Sequence, residues 1–256
     1  MAKRKKEMFN DDILIEVVSF LTRPKDWQMF MSVSKQFLYC GKSGFNCLTN
    51  ISLIYAQPRI EQSVKFLLSC PNFNPSAEDN FAIRLASQNG HDKVVALLLN
   101  DPRVDPSTKN NAAIRYTSRF GYDKVVALLL KDPRVDLSVD INDAIRWASY
   151  YGYDKVVALL LNDPRVDPSA NNNEAIRGAS KSRHDKVVAL LLADSSGRVD
   201  PSVHDNYAIR WASQNGHDKV VALLLASGRV NPSATNNAAS PEGNEHEKSI
   251  NQRDFY

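Results

Sequence analysis

What most constrains this chain is a stretch that comes back four more times with small changes. AIRLASQNGHDKVVALLLNDPRVDPS, residues 82–107, returns with its isoleucine at Ile83, Ile114, Ile145, Ile176 and Ile209, in steps of 31, 31, 31 and 33 residues. A fixed period of that size means one supersecondary unit stacked on copies of itself, each burying its apolar face on the next. A 256-residue chain built this way has no single central core, so its length says little about domain count.

The spacing within one period predicts two helices. Ala82 to Gln88 reads as a short helix of small and apolar residues, and Gly90 suits the left-handed stop that follows it. Asp92 to Asn100 reads as a second helix, with an acidic residue in the first turn, where the helix dipole favours negative charge. Val94, Val95, Leu98 and Leu99 fall on one face of it. Asp101-Pro102 then ends the helix, because proline lacks the N–H and disfavours helical geometry just before itself. Val104 is expected to point inward from a loop or hairpin.

Helix, tight turn, helix and hairpin at this length resemble the ankyrin repeat. Gly90-His91 followed by Val94, Val95 and Leu97 to Leu99 is similar to that family's G-H-x-x-V-V-x-L-L-L, and Arg103-Val104-Asp105 stands where the family has its hairpin end. Ala82-Ile83-Arg84 takes the place of the family's P-L-H. The resemblance implies an all-α, ankyrin-type solenoid of helix-turn-helix units joined by a loop or hairpin. It places the array at 77–237, with a degenerate capping repeat before it at 46–76. In that capping repeat Ile51 to Gln57 and Gln62 to Ser69 are the expected helices.

The N-terminal segment follows a different pattern. Asp11-Asp12 precedes a helical stripe of Ile13, Leu14, Val17, Val18, Phe20 and Leu21, and Pro24 then opens a second helix carrying Trp27, Phe30, Met31 and Val33. The run DDILIEVVSFLTRPKDWQMFMSVSKQF resembles an F-box, with Pro24-Lys25-Asp26 and Val33-Ser34-Lys35 in step with that family's pattern. Phe9-Asn10 replaces the family's opening Leu-Pro, and Trp27 replaces a leucine. The resemblance implies a small helical domain at 9–45 that docks a Skp1-type ligase adaptor through Ile13, Leu14, Val17, Val18, Leu21, Pro24 and Trp27. The alternative is a helical cap on the first repeat, since a stacked array needs its terminal apolar face covered. F-box and ankyrin modules together also resemble repeat proteins of large DNA viruses.

Charge and cysteine content exclude several functions. Thirty-two basic residues against 29 acidic leave a net charge of +3, so any polyanion site must be local. Cys40, Cys47 and Cys70 are odd in number and lack zinc spacing, which points to reduced thiols. Without an apolar run of membrane length or a signal-peptide core, an intracellular, cytoplasmic protein with no membrane contact is expected. Lys3-Arg4-Lys5-Lys6 lies in a basic tail, 1–8, and leaves a nuclear location open. The polar stretch 238–256 is expected to be a disordered tail.

Nothing in the pattern reads as catalytic, metal-binding or cofactor-binding. Cys40-Gly41-Lys42-Ser43 ends like a phosphate loop but lacks its first glycine. His91, His184 and His217 share one turn position with Tyr122 and Tyr153, so a structural ring is expected there. The row Arg84, Arg115, Arg146, Arg177 and Arg210 invites an anion-binding reading, with Asp105, Asp136, Asp167 and Asp200 as its expected ion-pair partners.

Positions that differ between periods are the ones free to serve a partner. After each arginine of the row stand Leu85, Tyr116, Trp147, Gly178 and Trp211, and before each turn stand pairs such as Arg119-Phe120, Tyr150-Tyr151 and Lys181-Ser182. In ankyrin proteins the latter pair projects along the concave binding face. Tyr116, Arg119, Phe120, Trp147, Tyr150, Tyr151, Lys181 and Trp211 are therefore the expected target-binding residues, of the types that dominate interface hot spots. For Tyr116, Trp147 and Trp211, packing between repeats explains the large ring equally well. The reading is a non-enzymatic adaptor, monomeric by itself, with a protein target on the repeats and a Skp1-containing ubiquitin ligase at the N-terminus. A plain ankyrin scaffold is the alternative, and an anion or nucleic-acid binder is disfavoured.

Overall fold

A computed structural model describes residues 60–69, 73–135 and 141–233. The F-box-like segment 9–45, both tails and the stretch 51–57 lie outside the described residues.

Among the described residues there are helices and no strands. After α1 (Ile60–Ser69) come five helix pairs: α2 (Ala77–Gln88) with α3 (Asp92–Leu99), α4 (Thr108–Arg119) with α5 (Asp123–Lys131), α6 (Ile141–Tyr151) with α7 (Asp154–Leu161), α8 (Ala170–Lys181) with α9 (Asp185–Leu192), and α10 (Val203–Gln214) with α11 (Asp218–Ala226). Each first helix packs on its own second helix and on the first helices of the adjoining periods, and the second helices stack likewise. Every contact is thus to a neighbour, as stacked repeats require. The core is a set of rows. Ile83, Ile114, Ile145, Ile176 and Ile209 form one, and Leu98, Leu129, Leu160, Leu191 and Leu224 another, all fully buried. Each such side chain contributes roughly 1.5–3 kcal/mol by leaving water.

The link between periods is not a β-hairpin. Each first helix is instead preceded by a left-handed turn of three residues: Glu78-Asp79-Asn80, Lys109-Asn110-Asn111, Asn171-Asn172-Asn173 and His204-Asp205-Asn206, all with φ between 48° and 60°. That conformation costs an ordinary residue about 1–2 kcal/mol, and Asn and Asp tolerate it best. Nine of these twelve residues are Asn or Asp, and the third is always Asn. That asparagine does a second job. The backbone N–H of Asp105 donates to Asn80 Oδ1 (2.8 Å), that of Asp167 to Asn142 (2.9 Å), that of Asp200 to Asn173 (2.7 Å) and that of Asn231 to Asn206 (2.8 Å).

Two rows of arginine hold this framework, and neither pairs as its sequence context suggests. Arg84 donates to the carbonyls of Glu78 and Asp79, Arg177 to those of Asn171 and Asn172, and Arg210 to that of His204, so the row clamps the left-handed turns. Asp105, Asp167 and Asp200 do not serve the row as expected. Their carboxylates accept from the N–H and Oγ of Ser107, Ser169 and Ser202, which are local turns. Asp136 lies outside the described residues.

The second row is the arginine of each Asp-Pro-Arg or Ser-Gly-Arg. Arg134 donates to the carbonyls of Leu99, Asp101 and Val104 of the previous period, Arg165 to Leu130 and Val135, and Arg229 to Leu192 and Val199. It caps the C-terminus of the preceding second helix, where cations are favoured. Arg103, Arg134 and Arg165 also grip Asp101, Asp132 and Asp163 through both guanidinium edges, and this hydrogen bonding holds those carboxyls below the usual carboxylate range. Where Ser195-Ser196 is inserted, Arg198 donates to Ser196 Oγ instead and still reaches the Val166 carbonyl at 2.9 Å. The insertion lies wholly in the loop between α9 and α10.

Candidate functional site

The turn closing each first helix sets where that helix's last side chains project. Gly90, Gly121 and Gly152 have φ of +71°, +77° and +80°, and the aromatic ring of the next period lies against each: Tyr122 on Gly90, Tyr153 on Gly121 and His184 on Gly152. His184 Nε2 also lies 3.0 Å from the Tyr150 carbonyl, and His217 Nδ1 lies 3.1 Å from that of Ser180. The turn histidines are thus packing rings that reach back to the preceding first helix. Tyrosine can supply the ring without the titrating group.

Around this framework the variable side chains of α4, α6 and α8 gather. Phe120, Tyr150 and Tyr151 are 43%, 42% and 39% exposed, and with Leu225 they are the exposed large hydrophobic residues among those described. Trp147 is buried beneath them. Its indole stacks on Tyr151 (centroids 5.9 Å apart, planes at 17°) and meets Tyr150 edge-on at 6.5 Å. Tyr150 and Tyr151 are themselves perpendicular at 5.2 Å. The Arg119 guanidinium covers the Trp147 ring at 4.7 Å, and the arrangement repeats two periods on, with the Lys181 ammonium 4.8 Å from the centre of the Trp211 ring. Tyr116, Arg119, Lys181 and Trp211 are half-buried.

Trp147 is therefore packing as well as patch. Between Trp147 and Trp211 the row is interrupted by Gly178, where a Cβ would lie 3.5 Å from the Tyr150 ring, an ordinary contact distance. The glycine leaves a notch, with Tyr150 as one wall.

Electrostatics around the patch depend on two acids that repeat-by-repeat comparison had not singled out. Asp143 lies 3.4 Å from Arg115 and also pairs with Arg146, and Arg146 reaches Glu174 at 2.9 Å. Both stand two residues before the core isoleucine, where the other periods carry Phe81, Ala112 and Tyr207. That variability was the available signal. Ile13, Leu14, Val17, Val18, Leu21, Pro24 and Trp27 lie outside the described residues.

Residues 145–236 match the family model described as ankyrin repeats (3 copies). The match is to ankyrin repeats. Helix order, period and stacking agree with that match, and the periods before Ile145 carry the same rows. Ankyrin repeats are a protein–protein interaction module. No match is found among curated proteins. Among the described residues no helix is long and apolar enough to cross a membrane, and no three His, Cys, Asp or Glu side chains are grouped as metal ligands.

Proposed function

We propose that the ankyrin array grips a protein target through the patch of Phe120, Tyr150 and Tyr151, and that the F-box-like segment couples that target to a Skp1-containing ubiquitin ligase. The observation that carries the first half is the placement of exposed apolar area. Three of the four exposed large hydrophobics among the described residues sit at the ends of two adjoining first helices, on a buried tryptophan. Rings fixed by one another lose little freedom on binding, which is how aromatic anchors contribute affinity. The second half is supported by Pro24-Lys25-Asp26 and Val33-Ser34-Lys35 in the N-terminal sequence. The protein itself is then a non-enzymatic adaptor, and the ligase supplies the chemistry.

The anion-binding alternative loses its main support, because Arg84, Arg177 and Arg210 are engaged with backbone carbonyls and Arg115 and Arg146 with carboxylates. Copurification with Skp1 tests the adaptor reading. The full chain binds and the Leu14→Asp, Val18→Asp variant does not; a full chain that fails to bind Skp1 leaves a plain ankyrin scaffold.

A further inference from the structure

We infer that the target segment seated on this patch is an extended acidic peptide with one apolar anchor, the anchor entering the notch above Gly178 and the acidic residues lying toward Arg119 and Lys181. This rests on the array being a protein-binding surface and names the chemistry of what it binds.

Three observations converge. The first is shape. At the position that carries Tyr116, Trp147 and Trp211 in other periods, α8 has a glycine, so a gap one side chain deep opens between two tryptophans, walled by the exposed Tyr150 ring. The second is charge. The variable positions around the patch, 116, 119, 120, 147, 150, 151, 178, 181 and 182, hold two cations and no acid. The nearby carboxylates of Asp143 and Glu174 are held by Arg115 and Arg146. The third is position. Arg119 and Lys181 are each held on a tryptophan, at 4.7 and 4.8 Å, so the two charges are placed on either side of the notch before anything binds.

The two cations are two periods apart, about 20 Å at the usual 8–10 Å between packed helices. An extended strand rises about 3.3 Å per residue, so roughly six residues span them. A single-stranded nucleic acid of that reach presents several phosphates to only two cations, and Tyr150 and Tyr151 stand edge to face rather than as parallel platforms for successive bases. A peptide with acidic ends and one apolar side chain between them fits both the charge count and the notch.

The test is selection of a displayed library of random dodecapeptides on the folded full-length chain, followed by fluorescence anisotropy with the enriched peptides. Enriched peptides carry a Leu, Met or aromatic residue flanked on both sides by Asp or Glu, and affinity falls about tenfold or more in Arg119→Glu, Lys181→Glu. Gly178→Leu fills the notch and weakens binding by a similar factor, while its melting temperature stays at or above wild type because leucine favours a helix over glycine. Enriched neutral peptides that need Tyr150 and Tyr151 but ignore Arg119 and Lys181 overturn the inference and leave the array as a protein binder. A labelled oligo-dT or oligo-U dodecamer that displaces the peptides overturns it in favour of nucleic acid. No enrichment of any peptide overturns both the inference and the patch as a peptide-binding site.

Discussion

The backbone N–H of Asp200 donates to Oδ1 of Asn173 at 2.7 Å, although 27 residues separate the two where 25 separate Asn80 from Asp105. The bond survives the insertion of Ser195-Ser196 because both its ends belong to turns of fixed conformation, and the added length bows out in the loop between them.

Asn173→Ala should therefore cost more than a surface substitution. It removes the acceptor for a buried N–H, about 1–3 kcal/mol, and places alanine in a left-handed position that asparagine tolerates. Chemical denaturation should show a lowered midpoint, and hydrogen exchange should show faster exchange at Asp200. Asn172→Ala, one residue away and exposed, should cost less because only the backbone conformation is affected.

Three glycines that look alike in sequence should behave differently. Gly121→Ala forces φ +77° on a residue whose Cβ would lie 2.5 Å from the Tyr153 ring, so it pays both strain and a clash. Gly216→Ala has φ +65° and nothing within 4 Å, so it pays the backbone term alone, about 1–2 kcal/mol. Gly178→Ala sits inside α8 with its Cβ in ordinary contact, and should gain about 1 kcal/mol of helix stability. Melting temperatures of the three variants should rank in that order, lowest to highest.

Acid should loosen the staples between repeats. The carboxyls of Asp101, Asp132 and Asp163 are held below their ordinary value by hydrogen bonds from Arg103, Arg134 and Arg165. A depressed folded value means the stabilisation is complete above about pH 4, the unfolded carboxyl value, and is lost as pH falls through the lower folded one. Asp132→Asn should cost about 1 kcal/mol or less at neutral pH, because the Arg134 side chain is 33% exposed and solvent screens the pair. Wild type and variant should converge in melting temperature below about pH 3, since the wild-type carboxyl is by then losing its charge. A constant gap across that range would show that the pair contributes through packing alone.

The period, the two helices per unit and the identity of the buried rows were determined by sequence alone. Ile83 and its four counterparts, and the Val-Val-x-x-Leu of each second helix, recur at helical spacing, and a chain with that pattern can hide its apolar stripe only against copies of itself. Exposure of Phe120, Tyr150 and Tyr151 was legible too, because side chains that vary while the rows stay constant are not needed for stacking. Tertiary structure decided the polar framework. Which carbonyls Arg84 and Arg134 cap, which N–H each asparagine receives and which ring covers each turn glycine depend on partners that are often 25 to 37 residues away in sequence and on a left-handed backbone that no hydrophobic period encodes. Apolar burial is non-directional and leaves its mark as spacing. A hydrogen bond needs a donor aimed at an acceptor, and that aim exists only once the repeats are stacked.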